Sequence, residues 1–148
     1  MITVEIKITK LNPDAHLPYY ATDFSAGADI FALLNADVSI PPHETRLIST
    51  GLALSIPNGF AGFIYPRSGL ATKNDLAPAN KVGVIDSDYR GEVLVSLHNH
   101  GNSVRVVSNG ERIAQLVIAP VVKAVFSEVS SLDDTARGSG GFGSTGTR

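Results

Sequence analysis

Cysteine is absent from the 148 residues, which excludes a disulfide scaffold, a cysteine-ligated zinc site and thiol catalysis. An excess of either charge is missing too: twelve Lys and Arg stand against fourteen Asp and Glu, a formal net charge of −2. A protein that grips long nucleic acid by its phosphates carries a basic surplus, so no nucleic-acid partner is expected. Long apolar runs are lacking as well. No stretch approaches the ~20 apolar residues of a membrane span, and residues 1–20 show no signal-peptide core. These absences lead to the expectation of a soluble, cytoplasmic protein with no membrane partner. What remains is 43% hydrophobic, enough to build the core of one domain.

Fourteen Gly and eight Pro fall at short intervals and cut the chain into pieces too short for ordinary helices. Between the breaks the residues alternate. Val4, Ile6 and Ile8 share one face of a strand, and Val93, Val95 and Leu97 share another. Val104, Val106 and Ser108 repeat that register beyond Gly101-Asn102, a pattern that predicts a hairpin. Ile113 to Ala119 is apolar except for Gln115, as in a strand covered on both faces. Many short strands at this spacing predict an all-β sandwich or barrel. One window, Ser68 to Asp75, reads as a short helix with Ser68 as its N-cap, or as a loop. After Leu132 the composition changes: Gly138, Gly140, Gly141, Gly143 and Gly146 make a packed element untenable. The expected organisation is therefore a β domain over 1–132 and a flexible tail over 133–148. Arg137 and Phe142 are residues that an inert linker has no reason to carry.

Four constellations could carry chemistry. Pro66-Arg67-Ser68-Gly69 offers a guanidinium, a hydroxyl and free N–H groups at a helix start, an anion cradle that is also ordinary turn chemistry. Gly83-Val84-Ile85-Asp86-Ser87-Asp88-Tyr89-Arg90-Gly91 could pair a base at a strand end with a flat ring, or form a solvated turn. Gln115, inside an apolar strand, must bond either to neighbouring strands or to a ligand. Asp29, in Ser25-Ala-Gly-Ala-Asp29, suits a turn as well as a site. His98 and His100 lack a third ligand nearby and read as a solvated strand end, not a metal site.

Each piece is weak alone, but their order is specific. Ser25–Asp29, Pro66–Ala71, Gly83–Gly91, Gly110-Glu111-Arg112-Ile113-Ala114-Gln115 and Arg137–Gly146 resemble the five ordered motifs of the trimeric dUTPase family, over residues 2–146. Ala28 and Glu111 depart from residues frequent there, and neither change removes a functional group. The resemblance implies a jelly-roll-like β-barrel with one short helix. It also implies a homotrimer with active sites between subunits, and hydrolysis of dUTP to dUMP and pyrophosphate with Mg²⁺.

Within that resemblance Asp86 is the base that activates the attacking water, and Arg67, Ser68, Gly69 and Gln115 hold phosphate oxygens. Mg²⁺ rides mainly on the triphosphate, with Asp29 reaching it indirectly through water. Asn80, Val84 and Ile85 belong to the uracil pocket, and Tyr89 packs on the deoxyribose. In the tail, Arg137 pairs with phosphate, Phe142 stacks on the base and Gly143 lets the backbone approach, so the tail becomes a lid. Two rivals share this fold. A dCTP deaminase carries a glutamate where Ser96 stands here, and a non-catalytic nucleotide-binding protein would lack turnover.

Overall fold

Strict alternation in Glu92–Asn99 decides the centre of the molecule. Val93, Val95, Leu97 and Asn99 are buried, while the residues between them are not. That pattern builds a strand with one covered face. The protein is described by a computed structural model over residues 3–141. Along the chain run β1 (Lys7–Lys10), β2 (Ala28–Phe31), β3 (Val38–Ile40), β4 (Thr45–Ser55) and β5 (Phe60–Tyr65). Helix α1 (Ser68–Asn74) follows, then β6 (Leu76–Pro78), β7 (Gly83–Ile85), β8 (Glu92–Asn99), β9 (Arg105–Val107) and β10 (Arg112–Pro120). One sheet has the order β1-β4-β8-β6, a second β2-β10-β5-β7, and β3 pairs with β9. All pairings among the described residues are antiparallel.

The expected all-β class with one short helix is what is found, although the sheets remain open and do not close into a continuous barrel. Their inner faces share one core. Ile48, Leu54, Val93, Val95 and Leu97 meet Ile30, Ile64, Ile85, Ile113 and Leu116, with Ile40 and Val107 closing one end. Each such side chain contributes roughly 1.5–3 kcal/mol by leaving water. No described helix is long and apolar enough to cross a membrane.

The expected hairpin between β8 and β9 does not form. The strand β9 pairs with β3, and it is Val107 that is buried while Val104 and Val106 face outward. Asn99 is the physical reason. Its fully buried amide donates to the carbonyls of Ile40 and Ser103, both at 2.8 Å, and accepts from Gly101 N at 2.9 Å. These bonds turn the chain out of the β8 sheet towards β3. Asn99→Ala leaves three groups without their partner, and we expect a loss of about 2 kcal/mol or more in urea denaturation. A loss below ~0.5 kcal/mol would remove Asn99 from this role.

The helix differs from expectation in its cap. Arg67 occupies the N-cap with no side-chain bond, Ser68 is the first helical residue, and Asp75 closes the end in the left-handed region at φ 55°. The last strand ends at Pro120, twelve residues before the expected boundary at Leu132. Val121 N donates to Gly59 O, and beyond it the described residues to 141 form no strand. Val122, Val125, Phe126, Val129 and Leu132 are left exposed there.

Candidate active site

Two separate groups of the expected residues are assembled. The first surrounds Asp29 on β2, whose carboxylate is nearly buried. Arg67 Nε donates to its Oδ1 at 2.7 Å, and Arg112 Nη1 donates to Oδ2 at 3.2 Å. Gln115 lies opposite Asp29 in the β2–β10 register and opposite Tyr65 in the β10–β5 register, and its Nε2 donates to Pro66 O at 2.9 Å. Gln115 thus fixes the turn that launches α1, and its oxygen lies where a Cβ on Gly27 would collide with it. Glycine is needed at 27 so that β10 can carry this amide. Arg67, Ser68, Gly69 and Gln115 therefore share one surface, with Asp29 holding the guanidinium in place. Seven helical residues align few peptide dipoles, so the cradle rests on the guanidinium and unbonded N–H groups rather than on a helix field.

The second group lines a cleft of about 290 Å³, between β7 and β8. Asn80, Gly83, Val84, Ile85, Asp86 and Tyr89 all border it. Ile85 anchors the wall in the core, so Val84 and Asp86, on either side of it along the strand, face outward. A tight turn follows: Tyr89 N donates to Asp86 O at 3.2 Å, and the Tyr89 hydroxyl donates to Glu92 O at 2.9 Å. The Tyr89 ring lies over Gly91, where any Cβ would strike it. Ser96 lines the same cleft and brings no carboxylate.

Strand β5 keeps these groups apart within one chain. Gly62 pairs with Ile85, so Asp86 follows towards the Phe60 end of β5, while Arg67 follows the other end at Tyr65. Five residues from Gly62 to Arg67, at ~3.3 Å each, span roughly 16 Å.

Elsewhere, the rings of His98 and His100 stand 4.5 Å apart, and the Thr45 hydroxyl bonds His98 Nδ1 at 2.9 Å. Desolvation, with Lys81 and His98 nearby, holds His100 below the ordinary imidazole value, against an opposing pull from Asp75. Among the described residues no three His, Asp or Glu side chains converge as a metal cage. Asp29, with both oxygens bonded to arginines, is not free to be a direct ligand. This donor set fits a hard cation that arrives on a polyphosphate and keeps its waters. Arg137 turns back on itself, Nε donating to Gly140 O at 2.9 Å, and touches neither group. Phe142 and Gly143 lie outside the described residues. Sequence reasoning gave no role to Arg112 or Glu92. Arg112 belonged to a quoted motif, but its partner lies 83 positions away.

The dUTPase family profile matches residues 13–146. A deoxyuridine 5'-triphosphate nucleotidohydrolase of Maricaulis maris is 51% identical over 152 residues, covering all of both chains. That of Nautilia profundicola is 52% identical, covering 97% of this chain and 99% of its own. A solved dUTPase of Staphylococcus bacteriophage 80alpha, with dUPNHPP, superposes with a TM-score of 0.88 at 29% identity, over 97% of this chain and 99% of its own. The chain belongs to the dUTPase family.

Proposed function

We propose that this chain hydrolyses dUTP to dUMP and pyrophosphate at sites built between subunits of a homotrimer, with Asp86 as the base. The cleft carries this reading, because it joins an outward carboxylate to a ring-sized pocket with a tyrosine at its mouth. Asp86 takes a proton from water as the oxygen attacks the α-phosphorus. The bond from that phosphorus to the bridging oxygen breaks, and pyrophosphate leaves. Arg67, Ser68, Gly69 and Gln115 of another subunit hold the phosphate oxygens, an arrangement that the ~16 Å spacing along β5 supports. Asp29 keeps Arg67 aimed, and its remaining lone pairs are available to waters of a Mg²⁺ carried by the triphosphate. That ion would supply charge neutralisation to a protein of net charge −2. The exposed apolar residues between Val122 and Leu132 support packing on a neighbouring subunit. The same reading places the enzyme in the cytoplasm.

Uracil enters between Asn80 and Val84, where the edge of cytosine would leave buried donors and acceptors unpaired. Pyrophosphate release measured across dUTP, dCTP, dTTP and UTP tests the whole reading. Turnover confined to dUTP is expected, and no turnover of any of them would leave only a nucleotide-binding protein. Tyr89→Ala is expected to raise kcat/KM for UTP relative to dUTP by ~10-fold, since the ring no longer opposes the 2′-hydroxyl. An unchanged ratio would place sugar discrimination elsewhere.

A further inference from the structure

The turn that carries Asp86 and Tyr89 is braced from within. Arg90 Nη1 donates to Ser87 O at 2.7 Å and to Tyr89 O at 2.9 Å, and Tyr89 N closes on Asp86 O. A unit tied this way moves as a body, so its fastening to the sheet sets where the tyrosine ring lies. That fastening is Glu92. Its main-chain oxygen holds the Tyr89 hydroxyl, and its carboxylate Oε1 accepts from the Ser49 hydroxyl and, at 2.8 Å, from Gly51 N. Both donors belong to a bulge. Ser49 pairs with Leu94 and Ala53 with Glu92, so four steps of β4 face two of β8. Gly51 has φ 66° there, and the bulge leaves its N–H without a ladder partner. Glu92 also stands between the cleft and a second cavity of about 410 Å³ bordered by Leu11, Leu33 and Asn35.

We infer that Glu92 is a positioning residue for sugar discrimination: by clamping the β4 bulge it fixes the Tyr89 ring against the deoxyribose. The inference rests on the reading of Tyr89 given above. A charge-assisted acceptor with two donors resists displacement more than a neutral one. The test compares wild type, Glu92→Ala, Glu92→Gln and Tyr89→Phe. It reads kcat/KM for dUTP and UTP, and calorimetric affinities for dUMP and UMP. Glu92→Ala is expected to narrow both deoxyribose-to-ribose ratios by ~5-fold or more. Glu92→Gln, which keeps an oxygen acceptor, restores them to within ~2-fold, and Tyr89→Phe narrows them in the same direction. In a Tyr89→Ala background, Glu92→Ala changes the ratios no further. Unchanged ratios in Glu92→Ala, or an equal additional change in the Tyr89→Ala background, would overturn the inference. Should Glu92→Ala not fold, Ser49→Ala removes one donor and carries the same comparison, with a ~2-fold narrowing expected and no narrowing as the overturning result. Absence of pyrophosphate from wild-type protein and dUTP would defeat the hydrolase reading separately, and the monophosphate affinities still judge Glu92.

Discussion

Asp86→Asn is expected to lower kcat for dUTP by ~10²-fold or more, while a non-hydrolysable dUTP analogue still binds within ~3-fold of wild type. The residue stands at the exposed end of β7, immediately after Ile85 has anchored the strand in the core. Asparagine keeps the volume and the turn, because the bond from Tyr89 N is to the main-chain oxygen of residue 86, not to its side chain. Folding stability should stay within ~0.5 kcal/mol of wild type. On the proposed reading, what disappears is an acceptor for the proton of the attacking water. Near-normal turnover by this variant would remove Asp86 as the base. Loss of analogue binding by an order of magnitude or more would make it a binding residue.

Removal of residues 133–148 is the second large effect. Among the described residues the core takes nothing from beyond Ile118, so a chain ending at Leu132 should fold and assemble as the full chain does. Its activity towards dUTP is nevertheless expected to fall ~10-fold or more. Ordering glycine-rich backbone costs roughly 1–2 kcal/mol per residue, and on the proposed reading bound nucleotide would offset this through Arg137 on phosphate and Phe142 on the base. Mixing Asp86→Asn chains with truncated chains separates the two contributions. If tail and base come from different subunits, exchange restores activity that neither parent has. A mixture no more active than its parents, with subunit exchange verified by mass spectrometry, would confine the lid to its own subunit.

Much of the fold was legible because burial leaves a local trace. The alternation at Val93, Val95 and Leu97 is the covered face of β8, and the apolar run around Leu116 is a central strand. The helix after Pro66 was legible as well, though Ser68 sits one position inside it and does not cap it. The failures share a cause. A hairpin turning at Gly101-Asn102 is the natural local reading, and a buried amide at Asn99, bonded to Ile40 59 positions away, overrides it. The site divides in the same way. Asp86 and Tyr89 lie within four residues of one another and could be paired on sequence. The Arg112–Asp29 bond and the Glu92 clamp on Ser49 join residues 83 and 43 positions apart, and periodicity is blind to both.

The length of β5 also bears on how activity depends on the amount of protein. On the proposed reading, the carboxylate and the cradle at either end of this six-residue strand serve different substrate molecules. A correctly folded single chain is then a pair of unmatched halves. Specific activity should rise with protein concentration through the association midpoint and level off above it, whereas a self-contained enzyme shows a constant value throughout. On that reading a newly made chain is silent until it meets its copies, and a copy lacking both the carboxylate and the cradle would silence sites it shares with active neighbours.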